Sequence, residues 1–500
     1  MANLFDSIPI KKPNRNHFDL THDVKFSLDM GNICPILALE CVPGDKFNIS
    51  AETLLRFQPL VAPVMHRMDV SVHYFFVPNR ILWDKWNDWI FGNDDISELP
   101  STFINPTTFT RLHDYLGLPT PTLSEDYLVT PFAMAAYQCI YNEYYRDQNL
   151  VLPVNYKLVD GDNSGNMELG MLRKRSWMHD YFTSSLPFAQ KGAAVNIPMT
   201  FGDAPVKFNI DGGTGAGNNV VSATHNGTAD DILVERQESN DPDIGTTLYA
   251  ANGDMKSSAL ISDLRRAEKL QEWLELLARS GSRAVEALKA FFNVTSRDSR
   301  QQRPEYITGI KTPVVVSEVL NTTGETSGLP QGNMSGHAIS VGGGKNGSYF
   351  CEEHGYIIGV MSVLPLPAYQ QGIPKHFLKK NDRFNYFWRQ FEHIGEQEVV
   401  IEELYSQAAA YGTLFGYVPR YAEYKYMPSR VAGDLKTSLD FWHLGRIFAT
   451  EPTLSQEFIE CVPDKRIFAV TDPDQDSLIC HVLNKISAVR PMAKYGQPSF

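Results

Sequence analysis

Paired cysteines, long apolar runs and an export signal are all missing from this sequence. Its 500 residues include only six cysteines, and no two of them form a C-x-x-C pair. This predicts buried, reduced thiols in a cytosolic setting rather than disulfides or a zinc site. No apolar run approaches the roughly 18 residues of a spanning helix. The first residues, MANLFDSIPIKK, lack the apolar core of a signal peptide, so we expect no membrane insertion.

Positive charge is also scarce. The chain has 45 Lys and Arg against 58 Asp and Glu, for a net charge of −13. This argues against a dedicated nucleic-acid binder, because phosphate contacts require Lys and Arg. The charge does not exclude a protein that encloses nucleic acid, provided that another cation neutralises the phosphates. Charged residues make up only 21% of the chain, which fits a protein that covers much of its surface with partners.

Catalytic and metal-binding motifs are absent as well. The sequence has no G-x-S-x-G elbow, no H-E-x-x-H motif and no phosphate-binding glycine spacing. The His-Asp doublets at His22, His113 and His179 are scattered, which is typical of ordinary surface or core histidines. We therefore predict no catalytic residues, no metal site, no cofactor and no enzymatic activity.

One acidic stretch allows a second interpretation of the function. In a strand, Glu396, Glu398 and Glu402 would lie on one face and Glu403 on the other, so the spacing does not indicate a catalytic pair of acid and base. A polar sheet face or a subunit rim is the simpler interpretation. The alternative function is a β-sandwich carbohydrate-binding protein or glycosidase, which needs two carboxylates facing one cleft. An adhesin is a third reading, which the missing export signal opposes.

Alternating residues indicate strands near the start of the chain. Residues 24–30 alternate apolar and polar side chains, and a second apolar run follows at 36–42. Ser50 is predicted to cap a short helix through Phe57. Residues 64–77 form a long predicted strand, whose apolar face carries Met68, Val70, Val72, Tyr74 and Phe76. These strands lack nearby partners, so their neighbours must come from far along the chain, as a jelly roll requires.

Strand-like runs dominate the second half of the chain. They are PVVVSEV from Pro313, HAISV from His337, GYIIGVMSVL from Gly355, QEVVIEEL from Gln397, AEYKYM from Ala422, RIFAV from Arg466 and ICHVLNKI from Ile479. Glycine and proline separate them, which is typical of an all-β sandwich.

Three other segments differ in composition. Residues 1–21 are predicted to be an extended N-terminal arm, because Pro9 and Pro13 prevent a helix. Residues 200–255 are rich in Gly, Asn, Thr and Asp, and we interpret them as an outward insertion without a core of their own. Residues 259–292 carry an amphipathic pattern broken at Ser280-Gly281, which predicts a helical pair.

Basic and aromatic clusters supply the candidate contact residues. The candidate nucleic-acid contacts are Lys11, Lys12 and Arg15 in the arm and the triplet Arg173, Lys174 and Arg175. A solvated terminus and an exposed loop are the alternatives. The candidate subunit-interface or packing aromatics are Trp83, Trp86, Trp89, Trp388 and Tyr421. The three early tryptophans are placed on one aromatic helix after Pro78, and the other two stand in aromatic clusters of the kind that interfaces select.

Long stretches of the chain resemble a known family. They are HFDLTHDVKFSLDMGN from His17, PLVAPVMHRMDVSVHYFFVPNRILWDKW from Pro59, RPEYITG from Arg303, EEHGYIIGVMSVLPLPAYQQGIPKHFLK from Glu352, DRFNYFWRQFEHIGEQEV from Asp382, FGYVPRYAEYKYMPSRVAGDLKTSLDFWHLGRIF from Phe415 and VRPMAKYGQPSF from Val489. These stretches resemble the major capsid proteins of Microviridae, in the gokushovirus-like branch of bacteriophages. The resemblance covers most of the chain outside residues 200–255.

The resemblance implies a fold and a function. The fold would be a mainly β, single eight-stranded antiparallel jelly roll over residues 22–500, with long insertions carrying several α-helices. The chain would be a subunit of a T=1 icosahedral capsid around circular single-stranded DNA, assembled in the cytoplasm of a bacterial host. Its implied partners are copies of itself, a small basic DNA-binding protein, and internal scaffolding and pilot proteins. The 200–255 insertion would form the outer protrusion that meets a bacterial surface receptor.

Overall fold

The computed structural model describes most of the chain. The described residues are 15–92, 98–122, 126–196, 260–320, 334–380, 382–409 and 411–495, together with the backbone of six short strands between residues 200 and 258. The chain divides into two compact units, one of residues 1–191 with 277–500 and one of residues 192–276. The predicted insertion at 200–255 falls within the second unit.

Strands make up most of the regular structure. Strands β1 to β7 are Asn16–Asp19, His22–Leu28, Cys34–Cys41, Lys46–Phe57, Met68–Pro78, Thr102–Ile104 and Tyr127–Val129. Strands β8 to β13 are Thr200–Phe201, Phe208–Ile210, Val221–His225, Ile232–Arg236, Leu248–Ala250 and Ser257–Ser258. Strands β14 to β21 are Glu305–Pro313, Val315–Leu320, Met334–Gly343, Gly347–Phe350, Gly355–Pro365, Glu396–Val400, Leu414–Pro419 and Leu478–Arg490.

Helices are short except for one. Helices α1 to α9 are Asn79–Leu82, Trp86–Phe91, Arg111–Tyr115, Phe132–Ile140, Ile261–Ser280, Ala284–Phe292, Lys375–Leu378, Ala422–Lys425 and Gln456–Ile459. A π-helix at Tyr141–Tyr145 continues α4. Single 3-10 turns lie at Met167–Gly170, Ser299–Gln301, Arg383–Asn385, Arg389–Phe391, Ile401–Glu403, Gly433–Lys436 and Asp440–Trp442. The predicted helical pair is confirmed as α5 and α6, which are separated at Gly281.

Two antiparallel sheets organise the larger unit. The first has seven strands: β1 and β2 pair with β21, which pairs with β4, and β4 pairs with β16 and β17, while β15 lies beyond β16. The second has four strands in the order β14, β5, β18, β3. The fold is therefore mainly β with antiparallel sheets, as the sequence predicts. The long-range pairing is also confirmed, since β4 meets β21 along twelve residue pairs from Phe57↔Leu478 to Lys46↔Val489.

The main core lies between the two sheets. Phe47 and Ile486 of the first sheet share one buried cluster with Val72 and Ile357 of the second. The predicted apolar face of β5 is confirmed, because its five side chains all belong to this cluster. A polar link crosses the core: the Tyr74 hydroxyl donates to Asn484 Oδ1 at 2.7 Å. The Asn484 amide in turn donates to a β3 carbonyl at 2.9 Å, so all of these buried groups are satisfied.

The other face of the four-stranded sheet is also covered. Phe75 and Val77 of β5 and Ile358 of β18 pack against α4 and the loops around it. Because both faces of this sheet are covered, β5 and β18 are buried along almost their whole length, although β5 keeps the polar residues Asp69, Ser71 and His73 between its apolar ones. At the start of β18, a Cβ on Gly355 would lie 2.4 Å from a β5 carbonyl oxygen, so only glycine fits there.

The predicted helix from Ser50 to Phe57 is wrong. This segment belongs to β4, whose buried and exposed residues alternate along its twelve positions. The capping signal at Ser50 comes from neighbouring residues, whereas the backbone hydrogen bonds of this segment are made with β21, a strand about 420 residues away in the sequence. Tertiary pairing therefore overrides the local helix signal. The predicted strand at 64–77 is confirmed from Met68 onward.

Two predicted strands and one predicted helix also need correction. AEYKYM forms the short helix α8, because Tyr421 adopts a left-handed φ of 59° and turns the chain after β20. RIFAV forms a turn, and its one β-bridge joins Phe468 to Leu60. The Arg466 guanidinium donates a hydrogen bond to the carbonyl of Gly445 at 2.6 Å. The predicted aromatic helix is two helices, α1 and α2, with Trp83 between them.

The smaller unit contains strands that the sequence composition does not predict. Three antiparallel ladders are nested: β10 pairs with β11, β9 with β12, and β8 with β13. The residues around them are rich in Gly and Asn, which hides a strand signal that spans only two to five residues at a time.

Candidate assembly surface

Six aromatic side chains stand half exposed in one part of the larger unit. We call them the aromatic surface: Phe384, Tyr386, Phe387, Trp388, Tyr424 and Tyr426, each between 46% and 60% exposed. They come from two segments, the loop before β19 and the segment after β20. A soluble protein rarely leaves so many rings together in water, and such patches mark contact surfaces.

Tyr421 holds the two segments together. It is 1% exposed, and its ring centroid lies 5.1 Å from that of Phe387 and 6.1 Å from that of Tyr424. Its hydroxyl accepts a hydrogen bond from the backbone of Trp388 at 3.3 Å. The left-handed backbone of Tyr421 is unusual for a bulky residue and is stabilised by the Gln397 side chain, which accepts from its backbone N–H at 2.8 Å. Tyr421 is therefore a packing residue within the chain.

A buried ion pair lies beneath these rings. Lys379 Nζ is 2.7 Å from Glu423 Oε1, and the two side chains are 4% and 10% exposed. Lys379 also lies 4.1 Å from the centroid of the Tyr424 ring and 5.4 Å from that of Tyr386. Gln397 donates to the other Glu423 oxygen at 2.7 Å. The pair supports the Tyr386 and Tyr424 rings, because neither charge can move without losing its partner.

The pKa values of this pair follow from the competition between burial and pairing. Burial raises the pKa of Glu423, but hydrogen bonds from Lys379 and Gln397 outweigh it, and the pKa lies below its usual value. Burial lowers the pKa of Lys379, but Glu423 and Tyr424 outweigh it, and the pKa lies above its usual value. Both groups stay charged at neutral pH.

A second buried ion pair contradicts the interpretation of the acidic stretch. Glu402 and Glu403 are 2% and 4% exposed, so they do not form a polar face or rim. Glu403 accepts from Lys375 at 2.8 Å and from the Tyr181 hydroxyl at 2.9 Å. Burial is the largest influence on Glu403 and raises its pKa despite Lys375. These carboxylates are structural, and their partners come from other loops of the chain.

The three early tryptophans lie within the chain's own core. Trp83 is 2% exposed and Trp86 is 9% exposed, and both pack in the cluster around α4. Trp89 packs against the same cluster and is partly buried. The structure therefore places these three in internal packing. Trp388, at 48% exposed, is the one of the five sequence-predicted aromatics that faces solvent.

The basic candidates have mixed positions. Lys11 and Lys12 lie outside the described residues. The Arg15 guanidinium lies 5.7 Å from the centroid of the Phe350 ring. Arg173 donates to Gln138 at 2.7 Å and stacks on a tyrosine. Arg173 is thus engaged in holding its own loop.

Lys174 and Arg175 complete the triplet. Lys174 is half-buried and forms a backbone bridge with Asn32. Arg175 donates to Ser362 Oγ at 3.0 Å, and its guanidinium faces the Tyr145 ring at 5.5 Å. The structure separates the three side chains, so the triplet does not form one basic patch.

The six cysteines all lie in the described part of the chain. All six cysteines are buried and unpaired, which confirms the prediction. Burial raises the pKa of Cys34 and Cys461, so these thiols stay protonated. Within the ranges that the structure describes, no cluster of His, Cys, Asp and Glu could hold a metal ion. No helix there has the length and apolar content to cross a membrane.

Comparison with known proteins identifies the family. A model described as "Capsid protein (F protein)" of phages matches residues 7–500. This chain belongs to the phage F capsid protein family. Similar proteins include capsid protein VP1 of Chlamydia phage 1, with 33% identity over 586 aligned positions that cover 100% of this chain and 98% of that protein. Capsid protein VP1 of Bdellovibrio phage phiMH2K is 35% identical over 527 positions, covering 99% and 97%.

A more distant relative extends the same result. Capsid protein VP1 of Spiroplasma virus 4 is 28% identical over 534 positions, covering 97% of this chain and 95% of that protein. These relatives all come from Microviridae, so the resemblance seen in the sequence is confirmed. The chain is a structural capsid subunit of a phage virion rather than an enzyme, and the glycosidase alternative is not favoured.

Sequence reasoning missed the polar support of the aromatic surface in this capsid subunit. Lys379 and Glu423 lie 44 positions apart. Each has an oppositely charged residue three positions away in the sequence, Asp382 and Arg420, so local spacing favours other partners. No pattern in the sequence identifies the long-range pair.

Proposed function

We propose that copies of this chain associate through the aromatic surface to close a T=1 icosahedral shell around circular single-stranded DNA. The observation that carries the proposal is the set of six half-exposed rings, two of which contact Lys379 of the buried Lys379–Glu423 pair. Rigid aromatics lose little conformational entropy on binding, so they are efficient contact residues.

The area of the surface supports a contact between copies. An aromatic side chain can bury roughly 150–250 Å². Because these six are about half exposed, they can bury about 500–700 Å² more. A standard interface buries about 800 Å² per partner, so the aromatic surface supplies most of one contact.

A closed shell follows from repeating such a contact. Head-to-tail contacts form rings when the rotation closes. A subunit in a shell touches several neighbours, so each further contact forms at high effective concentration and can be individually modest. The exposed rings favour a contact with another copy over a small ligand, because six rings from two segments of the chain stand half exposed.

The order of the strands supports a jelly roll. The first sheet runs β2, β21, β4, β16, and the second runs β3, β18, β5, β14. Chain neighbours β2 and β3, β4 and β5, and β16 and β18 thus lie in opposite sheets. This alternation between two four-stranded sheets is the pattern of two Greek keys. We therefore propose one eight-stranded jelly-roll domain over residues 22–500, to which the other strands are additions.

The proposed DNA contacts and helpers follow from the charge. A shell of copies at −13 each needs cations facing the DNA. We propose that the arm of residues 1–21, with Lys11, Lys12 and Arg15, lies along the inner wall. We also propose that a separate small basic protein or counterions neutralise most phosphates. Scaffolding and pilot proteins are proposed as further internal partners. The 200–255 insertion is proposed as the outer protrusion that meets a bacterial receptor.

The test removes two of the half-exposed rings and leaves both charges of the Lys379–Glu423 pair in place. The variant Trp388→Ala with Tyr424→Ala is produced with the other phage proteins, and particles are counted by electron microscopy and sedimentation. We expect particle yield to fall about tenfold or more, since central aromatics dominate interfaces. The thermal unfolding of the free subunit should change little, because both rings are half exposed.

The matched control is Tyr495→Ala, which removes a ring that is 73% exposed outside the aromatic surface. It should assemble like the unchanged chain. Normal particle yield from the double variant would contradict the role of the aromatic surface. Monomers that stay dispersed in every condition and cleave glycans would instead support the carbohydrate alternative.

A further inference from the structure

A cleft of about 600 Å³ lies on the face of the four-stranded sheet that points away from the main core. Its floor is formed by His73 and Phe75 of β5 and Tyr306 of β14. Its walls come from the chain around residues 144–149, 175–179 and 281–286. The volume falls in the range of small-molecule sites. A smaller cavity of about 290 Å³ shares His73, Arg175 and Tyr306 and is also lined by Lys311 and Asp69, which pair with each other at 2.8 Å.

Arg175 is an unusual feature of this cleft. Its side chain is largely buried, and burial is the main reason why its pKa lies below the usual arginine value. Its recorded side-chain partners in the described part of the chain are Ser362 Oγ at 3.0 Å and the Tyr145 ring, and no carboxylate is among them. A buried cation without an anion is costly unless one is supplied from outside.

The nearby carboxylates of the cleft are occupied elsewhere. Glu286 accepts from Gln148 at 2.7 Å and pairs with Arg283 at 3.3 Å. Asp147 accepts the backbone N–H groups of residues 149 and 150, both at 2.9 Å. Neither is free to neutralise Arg175. The cleft therefore keeps a net positive site in a chain whose net charge is −13.

Aromatic rings stand beside this cation. The His73 and Tyr145 rings are stacked at 6.1 Å, with the Tyr145 hydroxyl 2.7 Å from His73 Nδ1. Tyr306 meets His73 edge-on at 6.1 Å and is 49% exposed, so its ring is accessible from solvent. Burial first, and Arg175 second, lower the pKa of His73 to about 4, so the imidazole is neutral at physiological pH.

The backbone around Tyr145 is also special. Tyr144 and Tyr145 lie on the π-helix that ends α4, and both line the cleft. π-helical turns are rare and occur frequently at functional sites, because the wider turn redirects side chains. Here two consecutive tyrosines of this turn contact β5, Tyr144 at Phe75 and Tyr145 at His73.

We propose that this cleft binds one unstacked nucleotide of single-stranded DNA, with the base against Tyr306 and a phosphate on Arg175. The inference rests on the proposed packaging of single-stranded DNA and assigns it a site. Base stacking on an aromatic ring together with an arginine on the backbone is how proteins bind single strands without sequence preference. One such site per subunit would tether the DNA even though the whole chain is acidic.

The experiment measures binding of a fluorescent oligothymidylate to the purified full-length chain at fixed, low salt. The variant Arg175→Gln should weaken binding about tenfold, and Arg175→Lys should recover part of it. Tyr306→Ala should weaken binding about tenfold, whereas Tyr306→Phe should keep it, since stacking needs only the ring. Photocrosslinking with a bromodeoxyuridine oligonucleotide should label Tyr306 or its neighbours in the cleft.

The matched control is Arg56→Gln, which removes an exposed arginine of β4 and should leave binding unchanged. Thermal unfolding of every variant separates loss of binding from loss of fold. Inorganic phosphate should compete weakly, while an acidic peptide that competes as well as the oligonucleotide would overturn the nucleotide assignment. Unchanged affinity in both Arg175→Gln and Tyr306→Ala, or crosslinks confined to other regions, would overturn it too. Particle formation is measured separately, so failure of the nucleotide-binding proposal would not contradict the proposed assembly into a shell.

Discussion

The two-sheet core and the aromatic surface use the same residue types in opposite ways. Phe47 and Phe76 in the core are at most 1% exposed and are held by neighbouring strands. Phe387 and Trp388 in the aromatic surface are about half exposed, although they belong to the same large unit. Composition alone therefore does not separate folding residues from contact residues. What separates them is the structure that supports the backbone beneath each ring.

The supports differ in kind. In the core, long antiparallel ladders position the rings, and the β5–β18 ladder alone runs over eleven residue pairs. At the aromatic surface, turns and 3-10 helices carry the rings, and the buried Lys379–Glu423 pair takes the place of a ladder. A loop cannot bury enough apolar area to hold itself, so charged groups with fixed partners define its shape. The core thus provides stability and the aromatic surface provides contacts.

The largest effect should come from the core. Phe76→Ala removes a ring that packs 5.0 Å from Tyr349 between the sheets, and we expect a loss of about 4 kcal/mol in the free energy of unfolding. Trp388→Ala should cost less than about 1 kcal/mol by the same urea titration, because its ring is half in water already. Equal losses of unfolding free energy in the two variants would contradict the distinction between a stabilising core and a contact surface.

A smaller effect should come from the ion pair. Lys379→Met leaves the Glu423 carboxylate buried without its cation, and we expect a loss of about 3 kcal/mol. Glu423→Gln added to Lys379→Met should recover part of that loss, since no buried charge remains. The measurement is urea unfolding of the single and double variants as a cycle. Strict additivity would show that the pair does not couple the two segments.

The smallest of these effects should appear in the pH dependence. Burial, with lesser contributions from His443 and Arg466, lowers the pKa of His66 from 6.5 to about 4, while its contact with the Leu366 carbonyl acts against the shift. The stability from neutral His66 is therefore complete above pH 6.5 and is lost as the pH falls towards 4. The loss should be about 2 kcal/mol.

The control for this pH effect is His66→Gln, which offers a neutral donor to the same carbonyl at 366. Its unfolding free energy should fall less between pH 6.5 and 4 than that of the unchanged chain. Parallel curves would show that the acid sensitivity arises elsewhere. Glu423 adds a loss in the same direction at lower pH, because its pKa lies below 4.5.

Sequence patterns predict the ladders better than the turns. The face of β5 from Met68 to Phe76 and the long strand β21 are readable because period-two alternation persists over many residues. The helix predicted at Ser50 is wrong because a capping signal competes with a partner strand far away in the sequence. No local pattern contains that information.

The candidate residues show the same limit. Trp83, Trp86 and Tyr421 carry the same aromatic signal as Trp388, but the fold buries the first three. Which ring reaches the surface depends on the contacts of its neighbours in space. Likewise, Arg173 and Arg175 are two positions apart, yet one braces its loop through Gln138 and the other lines a cleft. The sequence pattern identifies candidate residues, but only their surroundings in the fold show the role of each one.

The position of β21 in the middle of the first sheet sets an order of events during translation. β4 and β2 must wait for a strand that the ribosome makes roughly 420 residues after Phe57. At about 5–20 residues per second, that interval is on the order of 20–80 s. Throughout this time the edges of β2 and β4 that face β21 lack their partner strand on the nascent chain. A chaperone that shields them should raise the yield of newly made subunits more than it raises the yield of refolded ones.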